Sequence, residues 1–311
     1  MEYVKLDNTD LLVSRFGFGC EPAGGTDWGK VDDHDSIVAI RRAVDLGVNF
    51  FDTADVYGLG RSEQILAEAL GPDCRKVIIA SKFGVNWNVV PGNRARTFFD
   101  SSPARLLEAL EGSLRRLRLD CIPLYYIHWP DPKTPIADTV EALIKCKEAG
   151  KIRYIGVSNF SSEQIRQAHA VHSLATVQVP YNLLQRQAES DVLPCCDELG
   201  IRAVAYGPLA QGLLTGKYGA DAKFDSDDRR SRLSHFQKET LKENLASVER
   251  LVVIGKQYEK KPAQVAIRWI LDNPSMSCAI IGIKNAYQLE ENLGAMNWTL
   301  APEAWKFLTG E

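Results

Sequence analysis

The sequence predicts an α/β protein, a closed (β/α)8 TIM barrel, on three observations. Eight short apolar runs alternate with amphipathic stretches of helical period. A polar residue stops most of those runs. No Gly-x-Gly-x-x-Gly motif follows the first run, and that motif is the usual mark of the rival open, doubly wound sheet.

The predicted strands span residues 16–19, 50–52, 77–81, 124–128, 152–157, 176–179, 203–206 and 279–281, which is the barrel count. A polar hairpin signal at residues 6–10 precedes them. Helix boundaries are readable in places: Ser102 offers a cap followed by Pro103 in the first turn, Gly150 ends a helix, and Ser161 and Ser162 open the next. Residues 239–259 and 262–271 form two successive helices after the seventh strand, one more than the repeat requires, and a last helix is expected at 302–308. With 311 residues and no linker rich in Pro, Gly or Ser, one barrel domain over 1–311 is expected.

Composition narrows the function classes. Apolar residues make up 45% and charged residues 25%, enough for a large core and too apolar for disorder. A net charge of −3, with acids and bases interleaved, leaves no electrostatic footprint for nucleic acid or an anionic membrane. No basic segment leads into an apolar run at the N-terminus, and no stretch approaches the length of a membrane span, so a cytoplasmic protein is expected. Seven cysteines, an odd number without a Cys-x-x-Cys pair, predict free thiols, with Cys195 and Cys196 read as small buried apolar groups. His169 and His172 share a predicted helix but lack a matching cysteine or carboxylate cluster, so no metal site is expected.

The chemistry falls at the strand ends, which share the C-terminal face of a barrel. The second strand ends at Asp52 with Tyr57 in the loop beyond, the third ends at Lys82 and the fourth at His128. Strands five to seven contribute Ser158 and Asn159, then Gln178, then Tyr206. Taken singly, Asp52 could cap a turn, His128 could be a core histidine and Lys82 could lie on the surface. Together they fit one task, because a buried lysine and a buried aspartate require each other. An ammonium beside a tyrosine favours its phenolate form, and a carboxylate holds that ammonium in place. A neutral histidine can orient a carbonyl oxygen beside the tyrosine. No His-Glu-x-x-His, Gly-x-Ser-x-Gly or paired-carboxylate pattern competes with this set.

The segments 51–58 (Phe-Asp-Thr-Ala-Asp-Val-Tyr-Gly), 82–84 (Lys-Phe-Gly), 127–132 (Ile-His-Trp-Pro-Asp-Pro) and 156–160 (Gly-Val-Ser-Asn-Phe) resemble the hallmarks of the aldo-keto reductases, in that family's order and spacing. The resemblance runs from about residue 6 to 296. It is strongest to the compact members with little chain after the last helix, related to bacterial oxidoreductases and potassium-channel β-subunits. It implies that Tyr57 is the general acid, that Lys82 and Asp52 tune it, and that His128 orients the substrate.

The resemblance also implies an extended nicotinamide groove at the C-terminal face. Ser158, Asn159 and Gln178 match the positions that bond the carboxamide, and Tyr206 matches the ring stacked on the nicotinamide. Gly207, Pro208, Leu209, Gln211, Gly212, Leu214, Gly216 and Lys217 belong to a segment similar to the loop that covers the pyrophosphate, and Gly19 and Cys20 join it from the first strand end. Gly282, Lys284, Gln288, Glu291 and Asn292 look like the end that grips the adenosine. Lys284 stands where a cation meets the 2′-phosphate, so NADPH (NADP+) is expected, with NADH a weaker alternative because Asn285 and Gln288 are neutral.

Trp28, Trp87 and Trp129 are the expected walls of the substrate pocket. Residues 223–235 read either as a solvated loop or as a segment that closes over a ligand. The function implied is an NADPH-dependent reductase of aldehydes or ketones, or the reverse reaction, with a small-molecule carbonyl or alcohol as partner. The alternative is a nicotinamide-binding regulatory or channel-associated subunit with little turnover.

Overall fold

The protein is described by a computed structural model over residues 1–29, 31–89, 95–225 and 228–310, so Ser226 and Asp227 of the 223–235 segment lie outside the described residues. In chain order, a hairpin of β1 (Tyr3–Lys5) and β2 (Leu12–Ser14) leads into β3 (Phe16–Gly19), α1 (Asp33–Asp45), β4 (Phe50–Asp52), α2 (Arg61–Leu70) and β5 (Ile78–Phe83). An antiparallel ribbon of β6 (Val85–Asn88) and β7 (Arg96–Phe99) follows, then α3 (Pro103–Leu117), β8 (Ile122–Ile127), α4 (Ile136–Glu148), β9 (Ile152–Ser158), α5 (Ser162–Val171), β10 (Val177–Pro180) and α6 (Val192–Glu198). The chain continues through β11 (Ala203–Tyr206), α7 (Lys238–Tyr258), α8 (Pro262–Leu271), β12 (Met276–Gly282), α9 (Ala286–Leu293) and α10 (Pro302–Thr309).

Strands β3, β4, β5, β8, β9, β10, β11 and β12 pair in parallel, and β12 closes on β3 to complete the barrel. This is the predicted (β/α)8 fold, with α7 as the extra helix after the seventh barrel strand and α10 as the terminal one. The predicted third and last strands extend further in the structure, to Phe83 and back to Met276, because the added residues are also buried.

Side chains fill the barrel rather than leaving a pore. Phe50, Ala80, Leu124, Tyr126, Val204, Cys278 and Ile280 form an inner cluster, and Leu6, Leu11 and Val13 of the hairpin join it, which plugs the N-terminal end. The packing is tight enough to demand glycine at position 156, where a Cβ would come within 2.5 Å of the Tyr126 ring. A second apolar layer lies between strands and helices.

The helices begin where the sequence marks them. Ser102 caps α3 by accepting from Arg105 N, and Ser161 and Gln164 form a reciprocal capping box on α5. Gly150, at φ 74°, turns the chain out of α4. The β6–β7 ribbon is an element the sequence reading left out. Among the described residues, no helix is long and apolar enough to cross a membrane.

Candidate active site

Lys82 sits on β5 with its side chain fully enclosed, at 0% exposure. Its ammonium has three hydrogens to place and three acceptors within reach. Lys82 Nζ donates to Asp52 Oδ1 at 2.5 Å, to the Thr53 carbonyl at 2.8 Å and to Tyr57 Oη at 3.3 Å. Asp52, which ends β4, is held on its other oxygen by Gln178 Nε2 at 2.8 Å. The four groups thus form one hydrogen-bonded chain across the barrel mouth.

Tyr57 owes its place to two loops that nearly touch. A Cβ on Gly58 would fall 2.1 Å from the Gly24 carbonyl oxygen, so only glycine lets the loop after β4 pass so close to the loop after β3. Because Tyr57 Oη accepts from Lys82, its own hydrogen is free to point elsewhere, and Tyr57 lines the groove described below.

The sequence reading expected Lys82 to make this phenol a stronger acid. In the folded chain burial, reinforced by the carboxylates of Glu21 and Asp52, opposes that effect and pushes Tyr57 well above the usual tyrosine range. The Lys82 charge is already matched by Asp52 at 2.5 Å. Tyr57 is therefore a protonated phenol at neutral pH, ready to give a proton.

His128 follows the last residue of β8 and is 8% exposed. Its backbone N–H donates to the Phe83 carbonyl at 2.7 Å, and its carbonyl accepts from Asn159 Nδ2 at 2.9 Å. Burial and the nearby Lys82 charge hold its pKa well below the ordinary histidine value, so the ring is neutral. Asn159 sits in the left-handed region at φ 61°, a conformation asparagine tolerates. Its amide bonds Ser158 Oγ at 3.1 Å and accepts from Tyr206 Oη at 2.7 Å.

A groove of about 980 Å³ runs along the C-terminal face. Its walls include Asp52, Tyr57, His128 and Trp129, together with Gly19, Trp28, Ser158, Asn159, Gln178, Tyr206, Gly207, Pro208, Leu209, Gln211, Gly212 and Lys217. Gly282, Lys284, Gln288, Glu291 and Asn292 line it as well, with Lys284 against Trp28.

Five of the sequence-selected residues lie off these walls, Lys82 among them, enclosed behind Asp52 and Tyr57. Cys20 is fully buried with its thiol toward the Phe18 carbonyl, and Leu214 is buried in the outer apolar layer. Gly216 ends a 3-10 turn at φ 80°. Trp87 lies under the Arg105 guanidinium, 4.9 Å from the centre of its ring.

The 223–235 segment is more than a solvated loop. Arg229–Arg232 and Ser234–Phe236 form short 3-10 turns, and Phe236 is buried against the rings of Tyr218 and Phe224. Arg229 N bonds the Asp27 carbonyl at 3.0 Å, Arg229 Nη1 bonds Glu21 Oε1 at 2.8 Å, and Arg232 Nη2 bonds Asp27 Oδ1 at 3.0 Å. These bonds tie the segment to the β3–α1 loop, and Arg229, Arg230, Arg232 and Leu233 line the groove beneath it.

Sequence reasoning missed Glu21, Arg229 and Arg230 as groove residues. The available signal was the aromatic trio at 218, 224 and 236 flanking a run of arginines. Burial, helped by the nearby charges of Arg230 and Lys217, lowers the Lys284 pKa. Lys284 Nζ also donates to the Trp28 carbonyl. Three converging cations suit a polyphosphate, with Asp228 offsetting part of their charge through its pair with Arg230.

The profile of the Aldo/keto reductase family matches residues 15–310. The chain belongs to the aldo-keto reductase family. It is 41% identical over 309 residues to the aldo-keto reductase YhdN of Bacillus subtilis (strain 168), covering 98% of this chain and 92% of that one. A solved glycerol dehydrogenase from Gluconobacter oxydans superposes with a TM-score of 0.92 at 38% identity, over 99% of this chain and 94% of that one. An aldo-keto reductase from Bacillus halodurans, solved in its holo form, gives a TM-score of 0.81 at 26% identity, over 100% and 96% of the two chains.

This aldo-keto reductase is therefore an oxidoreductase of a family that uses nicotinamide cofactors. Its groove fits such a group. Polar amides and the Tyr206 ring line it with Tyr57, and the cations Lys217, Arg230 and Lys284 line it too. Trp28 Nε1, in the groove wall, is buried with no partner among the described residues.

Proposed function

We propose that this aldo-keto reductase reduces aldehydes or ketones to alcohols with NADPH, or runs the reverse reaction, with Tyr57 as the proton donor. The single observation that carries this reading is the distribution of the Lys82 hydrogens. All three are taken by Asp52, Thr53 and Tyr57, so Tyr57 Oη keeps its own proton for a groove-side acceptor. The cofactor, when bound, supplies or takes up hydride at the carbonyl carbon.

The chain's own residues do the rest. The neutral His128 ring and the Tyr57 hydroxyl share the groove end where a carbonyl oxygen would be fixed, and hydrogen bonds from both draw electron density off the carbonyl carbon. As alkoxide charge develops, the Tyr57 proton passes to that oxygen. Lys82 then stabilises the phenolate, with Asp52 and Gln178 fixing the ammonium. Ser158, Asn159 and Gln178 are the groups that would hold the carboxamide, and Tyr206 the one that would face the nicotinamide ring.

Lys217, Arg230 and Lys284 favour NADPH over NADH, because an additional phosphate gains charge-assisted bonds there. The solved relative described as a glycerol dehydrogenase supports a reaction usable in the alcohol-oxidising direction. The seven cysteines, all unpaired, suit a reducing compartment such as the cytoplasm, and the barrel serves as one domain. The test is NADPH oxidation against a panel of aldehydes and ketones, with tritrated NADPH binding followed by tryptophan quenching. Turnover on a panel member is expected, and tight binding without turnover on any would overturn the reductase reading.

A further inference from the structure

Two ion pairs are buried behind the wall that carries Tyr57, in the layer between the barrel and helices α2 and α3. Glu63 accepts from Arg116 Nε at 2.6 Å and from Ser81 Oγ at 2.6 Å, which braces β5 against both helices. Asp55 accepts from Arg105 Nη2 at 2.6 Å. Both carboxylates are at 0% exposure, and the reaction described above uses neither.

Asp55 differs from Glu63 in where it stands. It lies between Asp52 and Tyr57, so its anchoring fixes the loop that presents the proton donor. Its backbone N–H faces the Lys82 carbonyl at 3.4 Å. Its partner Arg105 belongs to the first turn of α3, and the guanidinium covers the Trp87 ring at 4.9 Å. Trp87 is part of β6, and it pairs with Thr97 of β7. Val85 and Thr97 of that ribbon line the groove alongside Trp129, and Phe99 of β7 stacks on Trp129 with ring centres 5.5 Å apart.

We infer that Asp55 is a positioning residue for the reduction: through Arg105 and Trp87 it locks the β6–β7 ribbon, a substrate-facing wall, to the loop that carries Tyr57. The inference rests on the reductase reading and adds to it a coupling between proton donor and substrate wall. A purely stabilising ion pair explains the arrangement less well, because buried pairs are often no better for stability than apolar ones. Burial pushes the Asp55 carboxyl up to about 7, with Arg105 pulling it down and Glu63 pushing it further up. Asp55 Oδ1 has no partner among the described residues. The charged and titratable groups around Asp55 are Arg105 and Arg116 of α3, Glu63 of α2, Tyr125 of β8 and the Lys82 segment of β5.

The test compares wild type, Asp55→Asn and Trp87→Leu by two measurements. One is steady-state kinetics with NADPH and a carbonyl from the panel, across pH. The other is backbone hydrogen exchange of the unliganded protein. Asp55→Asn is expected to lower kcat about tenfold, to leave the KM for NADPH within about twofold, and to remove an acid-side limb of the wild-type kcat profile. Exchange should rise together in residues 55–60, 85–88 and 96–99. Trp87→Leu leaves the ion pair intact; it should raise the carbonyl KM and loosen the ribbon alone.

An unchanged kcat and pH limb in Asp55→Asn would overturn the proposal. So would exchange that rises in the loop while the ribbon stays as in wild type. Should Asp55→Asn fail to fold, Trp87→Leu decides: unchanged carbonyl KM and unchanged ribbon exchange sink the coupling. Should wild type reduce no carbonyl at all, the reductase reading fails by itself, and the exchange data alone decide whether Asp55 couples loop and ribbon.

Discussion

The Tyr57 ring meets the His128 imidazole edge to face, with ring centres 5.7 Å apart and planes at 84°. The two side chains come from different strand ends, yet this contact sets both polar tips at the same end of the groove. Lys82 Nζ lies 4.9 Å from the centre of the same tyrosine ring, so the phenol is fixed from two sides. A side chain so constrained loses little freedom when substrate arrives.

Removing the proton donor tests that arrangement first. Tyr57→Phe is expected to cut kcat by roughly two to four orders of magnitude while the Kd for NADPH stays near wild type. Stopped-flow turnover and fluorescence titration of the same preparation measure the two quantities. Wild-type turnover in the phenylalanine variant would remove Tyr57 from the mechanism.

The neutrality of His128 has its own signature. Its pKa is depressed by burial and by Lys82, so the folded protein binds fewer protons at this site than the unfolded chain does. Its contribution to stability is fully present above the ordinary histidine pKa of about 6.5 and is lost as pH falls below it. Among the five histidines, the His128 imidazole should show no NMR titration between about pH 5 and 8. Thermal melts should show His128→Gln losing less stability than wild type over the same acid range. A resonance assigned to His128 that titrates near the ordinary value would contradict the geometry.

Cofactor preference can be read at the cation cluster. Lys284→Ala and Arg230→Ala should each raise the KM for NADPH by about tenfold, the cost of one charge-assisted phosphate bond, and leave the KM for NADH nearly unchanged. Equal effects on both cofactors would mean that these cations hold the pyrophosphate rather than the additional phosphate.

The pair of Glu21 and Arg229 closes the strap over the groove at 2.8 Å, with both side chains more than a third exposed. Such a pair contributes little to global stability, on the order of 1 kcal/mol or less. Its effect should instead be kinetic. Glu21→Gln is expected to speed NADPH release severalfold with the melting temperature nearly unchanged. Stopped-flow displacement of NADPH by excess NADP+ measures the release, and an unaltered rate would show that the strap does not hold the cofactor.

The sequence by itself determined the barrel and the placing of Asp52, Lys82 and His128, because strand period and polar strand ends are local properties that one fold brings to one face. Free cysteines and the helix boundaries at Ser102, Gly150 and Ser161 were legible for the same reason. Only the tertiary structure decided which groups act on which. Long-range pairing puts Asp52 against Lys82 and Gln178, and enclosure raises the Tyr57 pKa where the sequence suggested it would fall. The approach of Gly58 to Gly24, the strap joined through Arg229 and Glu21, and the link from Asp55 through Arg105 to Trp87 all join residues far apart in the chain. Their energies depend on distance and desolvation, and neither is written in the order of residues.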